Sequence, residues 1–294
     1  MWIGTLPVVG GRIHARTNDV LKPRRVSGHT GPAMTKFDMW DPDKYNQFAA
    51  ERERPFWDLA RLLEPVDSPR IVDLGSGDGR LTAVLGECMG SPSTLGIDSS
   101  PAMIASAATH SSERVQFEVG DIGIWEQADS HDLVFANASM QWVPDHPAVL
   151  TRWSHSLREG GQLAVQVPAN ADHPAHLVAA ELAEELMDDP PPDVVAQNVL
   201  APERYAELLD ALGFDRQHVR LQVYIHHLGS TADVVEWVKG TTLTRFKEPL
   251  GATGWNRFVD LYRERLLAVL GDRSPYVYPF KRILMWGSRA ELTG

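Results

Sequence analysis

The stretch RIVDLGSGDGRLT, residues 70–82, limits the folds open to this chain more than any other. An apolar run typical of a buried strand leads into Asp73 and then into a turn that contains Gly75, Gly77 and Gly79, and a helical pattern follows. Because glycine has no Cβ, such a turn lets backbone amides approach a bound ligand closely. A strand, a glycine turn and a helix in this order predict a nucleotide-type site in an α/β sheet.

Residues 70–168 alternate short apolar runs with helical patterns. The runs typical of strands are RIVDL, STLGID, RVQFEVGD, HDLVFANA and QLAVQVP. One intervening helix is predicted to begin at Ser100 and Pro101, and the helix in PAVLTRWSHSLREGG is predicted to end at Gly160 and Gly161. Strands that alternate with helices indicate right-handed βαβ units and a parallel sheet.

The pattern changes after Pro168, where longer helical segments flank two further strand patterns. These are RQHVRLQVYIHHL, at 216–228, and the final strand KRILMWGS, at 281–288. We expect the two strands to form an antiparallel edge with a helical cap inserted between them. The predicted fold class is α/β: a Rossmann-like, seven-stranded, mostly parallel sheet with an antiparallel edge strand, an N-terminal helical lid and an inserted helical cap.

Composition divides the chain into three segments. Residues 1–33 carry five basic residues against one acidic residue and show no sustained periodicity, so they are predicted to be a disordered basic arm. Residues 34–66 are predicted to be the helical lid. Residues 67–294 are predicted to be the main domain, with cap segments at about 170–214 and 231–272.

The overall charge restricts the classes of partner. Lys and Arg total 28 and Asp and Glu total 39, for a net charge of −11, which argues against broad neutralisation of nucleic-acid phosphates. No apolar run approaches the roughly 20 residues that span a bilayer, and the single cysteine, Cys88, favours a reducing compartment. We therefore expect a cytoplasmic protein with a small-molecule ligand and no nucleic-acid or membrane partner. No metal site is expected either, because the i,i+3 pair His173 and His176 has no third ligand nearby.

Acidic residues follow the next two strands at the same edge of the predicted sheet. Asp98 ends the second strand, where a carboxylate can accept both hydroxyls of a ribose, and Asp121 ends the third, where it can accept from an adenine amino group. The G-x-G-x-G spacing, with Asp73 and Asp78 beside it, disfavours a pyrophosphate and favours a cationic or zwitterionic ligand. Asp73 either accepts amides of the turn or contacts an ammonium group.

These motifs resemble those of the class I S-adenosylmethionine-dependent methyltransferases: VDLGSGDG, GIDSS, GDI and FANASMQW. Longer stretches resemble the trans-aconitate methyltransferase family, namely MWDPDKYNQFAAERERPFWDLARLL, GIDSSPAMIASA, FANASMQWVPDH and LAVQVPAN. The resemblance covers Met39 to about Trp286. It departs at Ser76 and Asp78, where family members commonly have Cys and Pro, and no match is found over residues 185–200.

The resemblance implies S-adenosylmethionine as the cofactor and S-adenosylhomocysteine as its product. The residues at positions that match the motifs are the predicted cofactor-binding set: Asp73, Gly75, Gly77, Gly79, Asp98, Ser99, Asp121, Ile122 and Asn137. Asn137 and Gln141 flank a strand end, where their amides contact the ligands or cap the local turn.

The resemblance also implies methyl transfer to a carboxylate oxygen of an unsaturated tricarboxylate, which gives a monomethyl ester. A carboxylate is ionised at pH 7, so no general base and no catalytic residue are expected. The remaining carboxylates need cations, preferably arginine. The predicted substrate-binding residues, chosen by position, are Tyr45, Arg52, Arg54, Trp142, His227, Arg245, Lys281 and Arg282.

Two of the predicted substrate-binding residues could have a structural role instead, and the predicted activity also has alternatives. Tyr45 is a lid residue or a core aromatic, and strand alternation directs only one of His226 and His227 inward. An acyl-carrier-bound carboxylate, a phenol or an amine are alternative acceptors, and a cofactor-binding protein without turnover is the alternative from another class. The glycine spacing disfavours a nicotinamide oxidoreductase.

Overall fold

The computed structural model describes residues 53–289. Its strands are β1 (Arg70–Leu74), β2 (Ser93–Asp98), β3 (Val115–Val119), β4 (His131–Asn137), β5 (Leu157–Pro168), β6 (Arg216–Leu228) and β7 (Tyr276–Ser288). They form one seven-stranded sheet in the order β3-β2-β1-β4-β5-β7-β6.

Helices fill most of the connections between these strands. They are α1 (Arg54–Ala60), α2 (Arg80–Cys88), α3 (Pro101–Ala107), α4 (His146–His155), α5 (Pro174–Leu186), α6 (Val194–Asn198), α7 (Pro202–Ala211), α8 (Ala232–Lys239) and α9 (Lys247–Leu270). Short 3₁₀ turns follow at Ala108–His110, Met140–Trp142 and Thr242–Phe246.

Strand direction confirms the predicted fold class. β1 to β5 pair in parallel, whereas β7 runs antiparallel to both β5 and β6. The chain therefore inserts its last strand between β5 and the edge strand β6. Strand order reverses between β1 and β4, which is the position where open α/β sheets bind ligands, at the carboxyl ends of the strands.

Two apolar clusters cover the two faces of the sheet. One buries Trp153 of α4 and Tyr205 of α7 against Val134 and Val165. The other buries Phe56 and other residues of α1, together with α2, on the opposite face. The sheet is thus the middle layer of three, as the alternating sequence pattern requires.

The inserted cap has an apolar cluster of its own. It joins α5, α8, the turn at Thr242–Phe246 and α9 to Tyr276 and Tyr278 of β7. Helix α7 lies within the predicted cap range of about 170–214, but its Leu209 and the following Phe214 pack with the sheet.

Two predicted boundaries are wrong. The helix α4 ends at His155 rather than at the two glycines, because the Ser156 carbonyl accepts the amides of Ser130 and His131 and so joins the chain to β4. The last strand begins at Tyr276 because it pairs with β6 as far as Leu228. Gly160 and Gly161 therefore lie within β5, and Lys281 and Arg282 lie in the interior of β7 rather than at its start.

Several predictions fall on residues 1–52, outside the described residues. They include the basic arm, most of the lid, Tyr45 and Arg52. Within residues 53–289, none of the helices combines the length and the apolar composition that crossing a bilayer requires.

A buried hydrogen-bond chain connects α7 to the turn after β4. His146 Nε2 lies 2.9 Å from the Met140 carbonyl, which can only accept, so Nδ1 accepts from the Tyr205 hydroxyl at 2.7 Å. The same hydroxyl accepts from the Leu200 amide at 3.1 Å. Burial lowers the pKa of His146, which agrees with a neutral ring in this arrangement.

We predict that Tyr205→Phe lowers the free energy of unfolding by about 1–3 kcal/mol, because it leaves His146 Nδ1 and the Leu200 amide unpaired in the interior. Urea unfolding measures this loss. Tyr276→Phe is the matched control, because its hydroxyl has no hydrogen-bond partner within residues 53–289, and it should change stability by less than about 0.5 kcal/mol. Equal losses in both variants would contradict the assignment.

Candidate active site

The turn after β1 brings backbone amides to the carboxyl end of the sheet. Gly75 and Ser76 donate to the Ile97 carbonyl at 2.7 and 3.0 Å, and Gly77 donates to Asp98 Oδ2 at 3.0 Å. The three glycines of the turn have φ values of 91°, 57° and 78°. This backbone region costs residues with a Cβ roughly 1–2 kcal/mol. The turn is therefore fixed against β2 by backbone geometry that glycine permits.

Two of these glycines have different surroundings. A Cβ on Gly75 would lie 2.1 Å from the Cβ of Ser139, whose hydroxyl donates to the Leu74 carbonyl at 2.5 Å. A Cβ on Gly77 would have no described atom within 4 Å. Gly75 therefore allows the turn to pack against the end of β4, whereas Gly77 borders open space that a ligand can occupy.

Asp98 lies at the end of β2, as predicted. Its Oδ1 accepts from the Ser100 amide at 2.9 Å, so each carboxylate oxygen accepts one backbone amide. A carboxylate has about four acceptor sites, which leaves capacity for two further donors. This half-buried group fits a pair of ribose hydroxyls, and the neighbouring Ser99 is exposed at the same edge.

Asp121 follows the end of β3 by two residues. Its Oδ1 accepts from the Gly123 amide at 2.8 Å, and its side chain is exposed. Ile122 beside it is buried in the sheet cluster. An exposed acceptor beside an apolar wall is the arrangement expected at the edge of a bound adenine, and both residues stay candidates for that role.

Asp73 is buried at the end of β1, and Thr82 Oγ1 of α2 donates to its Oδ2 at 2.5 Å. Burial raises the pKa of Asp73 to about 7, and the nearby charge of Asp98 contributes in the same direction. Asp73 therefore joins the strand to the helix that follows the glycine turn. A cationic group bound nearby would favour its ionised form.

The end of β4 carries an unsatisfied acceptor. Asn137 Oδ1 is buried without a hydrogen-bond partner among the described residues. Gln141 Nε2 donates to the Ala138 carbonyl at 2.7 Å, which is the local turn-capping arrangement. Because buried polar atoms without partners are uncommon, Asn137 fits a residue that accepts from a ligand.

Arg282 lies on the sheet face that packs against α1. Its Nη1 donates to Gln166 Oε1 at 3.4 Å, and its guanidinium lies 4.7 Å from the ring centroid of Phe280. Its Nε is buried without a partner in the described part of the chain, and burial lowers the pKa of Arg282 to about 10. Arg282 is thus a largely buried cation that can donate a further hydrogen bond from Nε.

The side chains of Lys281 and Arg282 do not lie in the same site. The two are neighbours in β7, so strand alternation directs their side chains to opposite faces. Lys281 forms an ion pair with Asp172 instead.

The other predicted cations and rings are dispersed. Arg245 pairs with Asp193 at 2.7 Å and lies over Phe246 in the cap. His227 is exposed, whereas His226 is the inward member of the pair and packs on Trp237. Trp142 is exposed at the carboxyl end of the sheet, and Arg54 is exposed at the start of α1.

Two residues beside Arg282 are missing from the predicted set. Arg220 of β6 and Gln166 of β5 each have a buried nitrogen, Nε and Nε2 respectively, with no partner in residues 53–289. The sequence feature that could have identified Arg220 is the alternation in VRLQVYIH, residues 219–226. Polar and aromatic residues occupy its even-numbered positions, and aliphatic residues occupy its odd-numbered positions. The aliphatic positions are partly exposed, so in this strand the polar phase faces the site.

We predict different effects for alanine at the two glycines described above. Gly77→Ala should cost about 1–2 kcal/mol of stability and weaken S-adenosylhomocysteine binding, because its methyl group enters open space next to Asp98. Gly75→Ala should destabilise the fold by a larger amount through its contact with Ser139. Thermal unfolding and calorimetric titration separate the effects, and unchanged affinity in Gly77→Ala would contradict the location of the ligand.

We also predict that the stability of the ligand-free protein depends on the ionisation of Asp73. A folded-state pKa above the unfolded value means that stability falls as pH rises from about 4 to about 7. D73N cannot ionise, so its unfolding free energy relative to wild type should grow over this interval by up to roughly 4 kcal/mol. Asp78→Asn, at an exposed position of the same turn, is the control and should follow the wild type. A constant difference for D73N across this range would contradict the prediction.

Known proteins with similar sequences are methyltransferases. A family model described as a methyltransferase domain matches residues 66–218. The trans-aconitate 2-methyltransferase of Deinococcus radiodurans is 40% identical over 260 residues, which cover 86% of this chain and 99% of that protein. Those of Streptomyces avermitilis and Mycobacterium tuberculosis are 39% and 35% identical, over 83% and 84% of this chain and 94% and 95% of their own lengths.

Solved structures show the same fold at low sequence identity. The YcgJ protein of Bacillus subtilis has a TM-score of 0.54 and 17% identity, with 81% of this chain and 99% of that chain covered. Phosphoethanolamine N-methyltransferase 2 of Haemonchus contortus, solved with S-adenosylhomocysteine, has a TM-score of 0.51 and 17% identity, with 81% and 52% covered. The sequence relatives carry the assignment: the chain belongs to the trans-aconitate 2-methyltransferase family.

Proposed function

We propose that this protein transfers the methyl group of S-adenosylmethionine to a carboxylate oxygen of trans-aconitate. The observation that carries the proposal is the position of Arg282, a largely buried guanidinium whose Nε has no partner among residues 53–289, on the same sheet face as Asn137. A buried charge without a partner is costly, so the site fits an anionic ligand. The named relatives support the identity of that anion.

The residues at the carboxyl ends of β1, β2 and β4 fit the cofactor. Gly77 borders open space, Asp98 has capacity for two hydroxyl donors, and Asn137 Oδ1 has no partner among the described residues. Asp98 would hold the ribose, and Asn137 would accept from the donor molecule. When bound, S-adenosylmethionine supplies a methyl group on a sulfonium sulfur, so that attack by a carboxylate oxygen yields the methyl ester and S-adenosylhomocysteine.

The chain's own contribution is to bind and orient rather than to remove a proton. An acceptor carboxylate is ionised near neutral pH, so the reaction needs no general base. Arg282 would hold a carboxylate that does not react, which aims another towards the cofactor site. Apolar side chains of α1, including Phe56 and Trp57, pack on the same sheet face and help to exclude water. Exclusion of water favours a step in which an anion and a cation neutralise each other.

We predict that Arg282→Gln lowers kcat/KM for trans-aconitate by about 100-fold or more, because a charged hydrogen-bonded partner of the acceptor is lost. Most of the loss should appear in KM, while the affinity for S-adenosylhomocysteine stays unchanged. The measurement is transfer of labelled methyl groups, with the monomethyl ester identified by mass spectrometry.

The neighbouring residue provides the control. Lys281→Gln removes a positive charge at the next position of β7, but this side chain pairs with Asp172 on the other face. It should leave kcat/KM within about twofold of the wild type, since the ion pair is exposed. A wild-type protein that binds S-adenosylhomocysteine but does not methylate trans-aconitate would refute the proposed function.

A further inference from the structure

Arg220 lies beside Arg282 in the sheet. Antiparallel pairing places Gln222 opposite Arg282 and Arg220 opposite Leu284. Arg220 is therefore the diagonal neighbour of Arg282 on the same face, at a backbone separation of roughly 7–8 Å. Two flexible arginine side chains at this spacing can reach separate carboxylates of one small ligand.

Both guanidiniums extend into the same partly buried space. Each has an Nε atom without solvent contact and without a hydrogen-bond partner among residues 53–289. Both positive charges act to lower the pKa of the Tyr224 hydroxyl, although burial, the largest effect, raises it. Tyr224 thus marks a point that is close to both arginines.

Two described carboxylates at the start and in the middle of α1 have partners other than these two arginines. Asp58 Oδ2 accepts from the Tyr224 hydroxyl at 2.9 Å, and its Oδ1 accepts from Arg61 at 2.8 Å. Glu53 pairs with Arg80 at the start of α2. Within residues 53–289, no acidic residue forms an ion pair with Arg220 or Arg282, so no described carboxylate neutralises these two positive charges.

We propose that Arg220 and Arg282 form a two-cation clamp that selects acceptors with three carboxylates. The proposal rests on the proposed function and deepens it. Each arginine binds one carboxylate that does not react, and the third carboxylate attacks the methyl group. Three negative charges then meet two guanidiniums and one sulfonium, and after transfer the doubly charged monoester meets the two guanidiniums alone. The charges balance before and after the step.

The amide of Gln166 completes the clamp. Its Oε1 accepts from Arg282 at 3.4 Å, which directs its Nε2 away from that arginine. Nε2 is buried without a partner in the described chain, and Gln166 lies opposite Asn137 in the register of β4 and β5. An amide donor at this position can bind the reacting carboxylate between the clamp and the cofactor site.

The clamp predicts that charge number sets specificity. A dicarboxylate leaves one buried guanidinium unpaired, and sites with unpaired buried polar groups reject such analogues strongly. The wild type should favour trans-aconitate by about 100-fold or more in kcat/KM over itaconate, mesaconate and glutaconate, each of which lacks a different carboxylate.

The decisive test is the selectivity of Arg220→Gln. Its kcat/KM for trans-aconitate should fall about 100-fold, while that for the analogue that lacks the carboxylate bound by Arg220 should change by less than about threefold. Arg282→Gln should likewise lower kcat/KM for trans-aconitate more than kcat/KM for the analogue that lacks the carboxylate bound by Arg282. Arg220→Lys keeps the charge but loses the planar fork, so it should lose about tenfold in rate and retain selectivity.

Controls separate this inference from the proposed function. Arg216→Gln removes an arginine from the same strand, where it pairs with Glu64 at 2.7 Å, and should leave the rates for all acceptors unchanged. An equal loss for every acceptor in Arg220→Gln, or unchanged selectivity with an active wild type, would overturn the clamp alone. A wild type inactive on trans-aconitate would overturn the proposed function instead.

Discussion

The contact between Gly75 and Ser139 is the constraint on which the rest of the site depends. It closes the ends of β1 and β4 against each other at the point where strand order reverses, with no room for a side chain at Gly75. The Ser139 hydroxyl fixes the same junction through the Leu74 carbonyl. Because the ends of these strands are held together, the open space at Gly77 and the Asn137 Oδ1 atom, which has no partner among the described residues, lie at one edge of the sheet.

Charge is distributed unevenly in this protein. The chain carries a net charge of −11, yet the face of the sheet beside α1 holds two arginines whose buried Nε atoms have no partner in the described part of the chain. Several other cations in residues 53–289 form ion pairs with acidic residues, such as Arg245 with Asp193 and Lys281 with Asp172. In the proposed reaction, these two arginines would place positive charge where an anionic acceptor meets a cationic methyl donor, and that arrangement favours charge neutralisation.

The limits of sequence reasoning are clearest in β6 and β7. Strand periodicity identified the bounds of β6 correctly, since an edge strand of 13 residues leaves a long alternating pattern. The alternation alone does not identify the site residues, because apolar positions are normally buried and here Leu221, Val223 and Ile225 are exposed. Arg220 was therefore overlooked, and Lys281 was chosen although it faces away from Arg282. Whether the even-numbered or the odd-numbered residues of this edge strand face the site depends on how the strand packs against α1. A local sequence pattern does not encode that packing.

The class of fold and the family follow from the sequence alone, and so does the prediction of the sheet edge that binds the cofactor, because these depend on local features. A glycine turn after a strand, acids at successive strand ends and the alternation of strands with helices are short-range patterns with direct physical meaning. Only the tertiary structure decided where the cations point. Antiparallel pairing of β6 with β7 places Arg220 beside Arg282 across 62 positions of sequence, and neither has an acidic partner among residues 53–289.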